Sequence, residues 1–162
     1  NEPGFEDLAD YFREAVLAPL AMTASTLPGS AAHSLRSTVD DLVRFVGELT
    51  APQLVSEASA QAYRSVQFPG LPGLVPGVGR YQDCAWGLGT EVRADKQPRW
   101  TGTRNSPATF GHFGGAGTLL WVDPGARVAL VALTDRRFDE WSADALRLWP
   151  ELSDAVLAEV RG

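Results

Sequence analysis

Residue types that carry much of enzyme chemistry are scarce in this 162-residue sequence. It contains one cysteine, Cys84, one lysine, Lys96, and two histidines, His33 and His112. A single cysteine excludes an internal disulfide framework and a cysteine-rich zinc site. Neither histidine has a cysteine or carboxylate cluster at ligand spacing, so we predict no metal and no other cofactor.

Positive charge and long apolar runs are also scarce. The sequence has 14 Lys and Arg against 20 Asp and Glu, a formal net charge of −6, which argues against a nucleic-acid partner or an anionic membrane. No apolar run reaches the roughly 18 residues of a membrane-spanning helix, and no signal peptide is visible. The chain opens without Met, so we expect a processed or incomplete chain, and localisation, cytoplasmic or secreted, is left open.

Helical spacing predicts that residues 1–67 form a helical region. A first helix carries apolar residues from Phe5 to Val16 and ends near Pro19. A second follows a cap formed by Thr38 and Asp41, and a weaker third covers "SEASAQAYRSV". The apolar face predicted for the second helix consists of Val39, Leu42, Val43, Val46 and Leu49. Residues 68–83 are rich in proline and glycine and are predicted to be a loop.

Residues 84–162 are predicted to form antiparallel strands and a C-terminal helix. The alternation from Cys84 to Val92 predicts one strand. "GTLLWVD" and "RVALVALTD" predict two more, joined by a "DPGA" turn in which Asp123 is a turn residue. The second of these is apolar on both faces, which is typical of a central strand. A helix begins at Asp139, with a kink or restart at Pro150. The predicted class is α+β, as one partial domain.

His112 lies among several glycines in "FGHFGGAG". Glycines in a strand mark a bulge or a place where another backbone or a ligand comes close. Two interpretations stay open on spacing alone. His112 is either a satisfied polar residue at the start of a strand, or part of a glycine-lined edge strand whose backbone N–H groups face a substrate.

The stretch "GHFGGAGTLLWVDPGARVALVALTDR" resembles the third conserved box and following hairpin of the serine β-lactamase-like hydrolases. That superfamily includes class C β-lactamases, penicillin-binding proteins, family VIII esterases and D-aminopeptidases. Its third box is Lys-Thr-Gly in lactamases and His-x-Gly in many esterase and peptidase relatives; here it is His112-Phe113-Gly114. "DYFREAVLAPLAMTAST", "LRSTVDDLVRFVGEL" and "WGLGTEV" are similar to other family segments, in the same order.

The resemblance implies a partial β-lactamase/transpeptidase-like fold and a site for a small-molecule ester, amide or lactam. His112 would line that site and orient a substrate carboxylate or the proton network. Gly114 would give the clearance for substrate to lie along the strand. Gly115 would mark the place where a strand N–H completes the oxyanion hole.

The departures from the family pattern are equally specific. Arg93 stands three residues before Lys96, so no Ser-x-x-Lys exists, and none of the three tyrosines begins a Tyr-x-Asn. The sequence therefore predicts a fragment with the third box only, inactive alone, with an exposed sheet edge and an uncovered helical face. The missing N-terminal half or a second copy is a candidate partner. A non-catalytic binding module and one half of a split enzyme are the alternatives.

Overall fold

The computed structural model describes residues 8–161, and the chain divides into two compact units, residues 1–60 and 61–162. Helices come first, antiparallel strands follow, and a helix ends the chain, so the predicted α+β class is confirmed. The predicted boundaries of the Pro/Gly-rich loop, at 67/68 and 83/84, stay predictions. Phe5, the first apolar position predicted for the first helix, lies outside the described residues.

The first unit begins with α1, Leu8–Phe12, which continues into a π-helical turn, Arg13–Leu17. The turn ends as predicted before Pro19, with the Ala18 N–H bonded to the Arg13 carbonyl at 2.8 Å. Helix α2 covers Val39–Thr50, and the Thr38 hydroxyl caps it by accepting from the Asp41 N–H at 3.3 Å. The predicted cap is therefore present.

The face that α2 turns inward overlaps the predicted one only in part, since Leu42, Val46 and Leu49 are half-buried. Val39 and Val43 are 45% and 56% exposed, whereas Asp41 and Glu48 are buried. Each buried carboxylate accepts two hydrogen bonds of 2.7–2.9 Å from the loops beside the helix. These bonds offset the free-energy cost of removing the two carboxylates from water. The periodicity predicted the helix and part of its inward side, but not the two buried carboxylates, because their burial depends on loop donors outside the helix.

The second unit contains the second half of α3, Glu57–Arg64, and a short antiparallel hairpin of β1, Gly73–Val75, and β2, Gly79–Tyr81. The segment predicted as a plain loop, 68–83, thus holds two strands. Its turn contains Gly77 at φ +75°, where a Cβ would lie 2.5 Å from the Phe138 ring. Proline and glycine correctly indicated a turn here. The two strands were missed because three residues each are too few to show an alternating pattern.

A four-stranded antiparallel sheet forms the centre of this unit. Its strands are β3, Glu91–Val92; β4, Phe110–Phe113; β5, Leu119–Asp123; and β6, Val128–Ala132, in the spatial order β3-β4-β5-β6. The hydrophobic core combines residues of the hairpin, the sheet and the last helix. Fully buried members are Val75, Trp121, Ala145 and Leu157, and the Trp121 indole N–H donates to Ser153 at 3.1 Å.

The strand predicted from Cys84 to Val92 is present only as its last two residues. Trp86 instead pairs with Glu91 in an isolated bridge, and the Gly87 N–H bonds the Thr90 carbonyl at 2.8 Å. The chain therefore turns back between them. A Cβ at Gly89 would lie 1.7 Å from the Tyr63 ring. Glycine at this position therefore allows the turn to pack directly against that ring.

Strand β6 is not central among the described strands, contrary to the prediction. It pairs with β5 alone, and each of its five residues is partly exposed. An apolar pattern on both faces reports which side chains a strand carries, whereas a central position depends on a second hydrogen-bonded neighbour. Within residues 8–161 that neighbour is absent.

Helix α4 covers Phe138–Arg161 and runs through Pro150. Its kink lies at Trp141, with φ −148° and ψ 24°, rather than at the proline. The Trp141 ring packs edge-on against Trp149 and beneath the Arg136 guanidinium. The helix does not restart at Pro150 as predicted, because it continues through that residue, and its departure from helical geometry lies near its start.

Asp123 closes the β5–β6 turn from a fully buried position. Its carboxylate accepts from the N–H and hydroxyl of Ser106, both at 2.7 Å, and from the N–H groups of Gly125 and Ala126 at 3.0 and 3.1 Å. Burial alone raises the pKa of this carboxyl, but the hydrogen bonds outweigh burial and lower the pKa below its ordinary value.

We expect Asp123→Asn to lower the free energy of unfolding by about 2–3 kcal/mol at pH 7, because the amide cannot accept all four bonds. The folded pKa is lowered, so the carboxylate's contribution is present above about pH 4 and is lost as pH falls through the folded pKa. Urea unfolding at pH 7 and in acid should show the difference shrinking. Asp139→Asn, on an exposed side chain, is the control; equal losses for both variants would contradict this role.

Candidate active site

His112 lies where β4 continues past the end of its neighbour. Strand β3 pairs with β4 only at Phe110 and Gly111, while β5 pairs along its whole length, with Leu120 opposite His112. The His112 side chain is 43% exposed. The short β3 therefore leaves one edge of β4 open from His112 onward, within the described part of the chain.

Two aromatic rings pack against the His112 imidazole. The Trp86 ring meets it edge-on with 5.1 Å between centroids, and the Phe113 ring lies tilted at 5.1 Å. Phe113 itself is buried against Trp100, Phe138 and Trp149. A histidine held by a rigid aromatic wall has few rotamers available, which suits a group that must orient a ligand.

A buried carboxylate faces the inner side of His112. Glu91 Oε1 contacts Lys96 Nζ at 2.7 Å, and Glu91 Oε2 accepts from the Trp100 indole N–H at 2.9 Å. His112 Nδ1 lies 3.6 Å from Oε2, longer than a hydrogen bond, so this contact is electrostatic. The arrangement directs Nδ1 toward the protein interior.

Glu91 is ionised in this setting. Burial raises its pKa, but His112, Lys96 and Trp100 together outweigh burial and hold the pKa of Glu91 below its ordinary value. Lys96 Nζ also donates to the Ala85 carbonyl at 2.9 Å. The sole lysine is thus bound to a structural partner.

Tyr81 is unsuited to proton transfer near neutral pH. Burial, with smaller effects of Glu91 and Cys84, raises the pKa of Tyr81 to about 12. Its hydroxyl donates to the Pro98 carbonyl at 2.6 Å. Cys84 is partly exposed.

The glycine loop after β4 is anchored at both ends. The Gly114 N–H bonds the Thr118 carbonyl at 2.9 Å, and the Phe138 N–H bonds the Gly115 carbonyl at 3.0 Å. Gly117, at φ +80°, packs so closely that a Cβ would lie 2.0 Å from the Arg136 carbonyl oxygen. Gly115 is exposed, and its N–H donates to no group of residues 8–161.

The predicted residues His112, Gly114 and Gly115 therefore lie together at one end of β4. A Cβ at Gly114 would make ordinary contacts at 3.7 Å, and one at Gly115 would meet open space. The packing of this chain does not require glycine at either position. Their roles stay a prediction, and any need for clearance there would come from a bound molecule.

Sequence reasoning did not single out Glu91 as part of this site. Its signal was a carboxylate inside an apolar segment, "WGLGTEV", where an acid needs a partner if it is buried. The partner, Lys96, lies five residues on, beyond a turn, at a spacing that matches no familiar motif. Among residues 8–161 no group of three or more potential metal ligands occurs, and no helix there is long and apolar enough to cross a membrane.

Comparison with known proteins gives a family. The sequence matches the β-lactamase family profile over residues 3–150. No curated protein matches it significantly. The crystal structure of a β-lactamase from Mycobacterium bovis superimposes with a TM-score of 0.87 at 49% identity, covering 94% of this chain and 56% of that one.

A structure from Bacteroides dorei DSM 17855, provisionally named a β-lactamase, matches with a TM-score of 0.50 at 16% identity. It covers 82% of this chain and 46% of that one, and shows likeness of fold alone. The chain thus spans about half the length of these two structures. The family match covers most of the chain and includes the strand that carries His112, so the chain belongs to the β-lactamase family of serine hydrolases and corresponds to part of such an enzyme.

Proposed function

We propose that this chain supplies one wall of the active site of a serine hydrolase that acts on a small-molecule ester, amide or lactam. One observation carries the proposal. The exposed His112, backed by the buried Glu91–Lys96 pair, lies on the same open strand end as the unengaged N–H of Gly115.

The chemistry follows from these groups. A serine hydroxyl adds to the substrate carbonyl, the leaving group departs, and water later hydrolyses the acyl-enzyme. The Gly115 N–H would stabilise the negative charge that develops on the carbonyl oxygen. His112, with Nδ1 toward Glu91, would direct Nε2 to the substrate side, where it can bind a substrate carboxylate or relay a proton.

The serine itself would come from outside these 162 residues, since they contain no Ser-x-x-Lys. His-x-Gly in place of Lys-Thr-Gly favours an esterase or peptidase over a lactamase. A neutral imidazole binds an anion less firmly than an ammonium, so a substrate without an obligatory carboxylate fits better.

The test of the nucleophile uses a fluorophosphonate probe and a penicillin on the purified 162-residue chain, followed by intact mass spectrometry. We expect no stoichiometric acyl or phosphonyl adduct, because the covalent step needs the absent serine. An adduct on this chain would refute the proposal. If a separate polypeptide bearing Ser-x-x-Lys restored labelling on mixing, the protein would be a split enzyme.

The role of His112 is tested in a protein that includes both this chain and a Ser-x-x-Lys segment. There His112→Ala should slow acylation by about 10²-fold or more. The matched control is His33→Ala, which removes the other, exposed histidine and should leave the rate unchanged. Equal acylation rates for the two variants would contradict the role proposed for His112.

A further inference from the structure

A polar cleft lies in the second unit. It is lined by residues between 91 and 101, by Thr109 and by the start of β4. It encloses about 240 Å³ including open solvent at its mouth, and the space in it that the centre of a water-sized sphere can occupy is about 10 Å³. Its polar lining comes from the side chains of Glu91, Arg93, Lys96, Arg99, Thr101 and Thr109. Nothing in the proposed hydrolase chemistry uses this space.

Two buried donors in the cleft have no acceptor. Arg93 and Thr101 are only 9% and 3% exposed. Arg93 Nε and Thr101 Oγ1 lack any hydrogen-bond partner among the described residues, although another nitrogen of Arg93 donates to the Ala94 carbonyl at 2.9 Å. Buried donors without partners cost free energy and are rare in folded proteins. Each therefore calls for an acceptor that residues 8–161 do not provide.

The Thr109 hydroxyl is a weaker member of the set. It has no partner within hydrogen-bond distance, yet it lies close enough to Asp123 to help lower the pKa of that carboxyl. We therefore count only Arg93 and Thr101 as donors left for a ligand.

The charge balance of the lining is positive. Arg93, Lys96 and Arg99 line the cleft against one carboxylate, Glu91, which is already bound by Lys96 and by the Trp100 indole. No carboxylate of residues 8–161 lies within ion-pair distance of Arg93 or Arg99. Burial and the nearby Arg99 charge lower the pKa of Arg93, while the charges of Asp95, Asp123 and Asp154 raise it.

We propose that this cleft is a binding site for a small monovalent anion of the halide class, with chloride as the ligand in solution. The cleft is small and opens to solvent, so a monatomic anion can enter from its mouth and reach both donors. An anion accepts from both Arg93 Nε and Thr101 Oγ1 and offsets the excess positive charge. A single water molecule satisfies the donors but leaves that charge unbalanced.

The test compares thermal unfolding in sodium chloride and in sodium gluconate at equal ionic strength, so that screening is the same and gluconate is too large to enter. Chloride should raise Tm saturably, by about 3–6 °C at ten times its Kd. Thr101→Val should abolish most of this increment, and Arg93→Met all of it. Thr101→Ser, which keeps the hydroxyl, should retain it.

The same variants distinguish an anion from a water or an empty cleft. Without an anion, Thr101→Val removes an unsatisfied buried hydroxyl and raises Tm equally in both salts. Equal Tm values in chloride and gluconate for the unsubstituted protein would overturn the proposal. Bromide soaks should give an anomalous peak beside Arg93 Nε; an ordered water there without such a peak would also overturn it.

Discussion

Alanine at position 111 should largely unfold the second unit. A Cβ on Gly111 would lie 2.1 Å from the Leu120 carbonyl oxygen and 2.7 Å from Trp121 Cα, and φ is +155°. Both clashing atoms belong to the backbone of β5, so no side-chain rotation relieves them. We expect Gly111→Ala to cost at least about 3 kcal/mol, since the β4–β5 pairing has to shift.

The control for this prediction lies four residues along the same segment. Gly115→Ala introduces the same methyl group into open space, without a positive φ, and should change the free energy of unfolding by less than about 0.5 kcal/mol. Circular dichroism with urea or thermal unfolding measures both variants. Similar stabilities for the two would show that the close approach of β4 to β5 is not required.

Breaking the Glu91–Lys96 pair is the other large expected effect. The two side chains are only 6% and 3% exposed, so removing one leaves the other as an unpaired buried charge. We expect Glu91→Gln and Lys96→Met each to lower the free energy of unfolding by about 3–5 kcal/mol. Denaturant unfolding at neutral pH measures the loss.

The double variant separates pairing from simple loss of packing. Glu91→Gln with Lys96→Met leaves no unpaired charge in the pair, so its loss should be clearly smaller than the sum of the two single losses. Glu151→Gln, in the exposed Arg147–Glu151 pair, is the matched control and should cost less than about 1 kcal/mol. Strict additivity of the Glu91 and Lys96 variants would contradict the buried ion pair.

The same pair connects stability with the proposed site. The pKa of Glu91 is lowered in the folded chain, so its contribution to stability is present above about pH 4.5 and declines as pH falls through the folded value. His112 contacts the same carboxylate and the Trp86 ring. A change at Glu91 is therefore expected to disturb the orientation of His112 as well as the fold.

The sequence was sufficient for features whose cause lies within a few residues. The Thr38 cap, the "DPGA" turn and the helical periodicity of α2 are local, because they depend on hydrogen bonds and side-chain spacing along one segment. The third-box pattern His112-Phe113-Gly114 was readable for the same reason, and the family resemblance it carried is confirmed.

Tertiary structure decided what depends on groups brought from elsewhere in the chain. Hydrogen-bond donors in neighbouring loops allow Asp41 and Glu48 to face inward. The turn between Trp86 and Glu91 limits β3 to two residues. Strand β6 is an edge among the described strands because it has no second neighbour there. The salt bridge behind His112 is the same kind of feature. Whether a carboxylate such as Glu91 is buried depends on the partners that reach it in three dimensions, and these leave no periodic trace in the sequence.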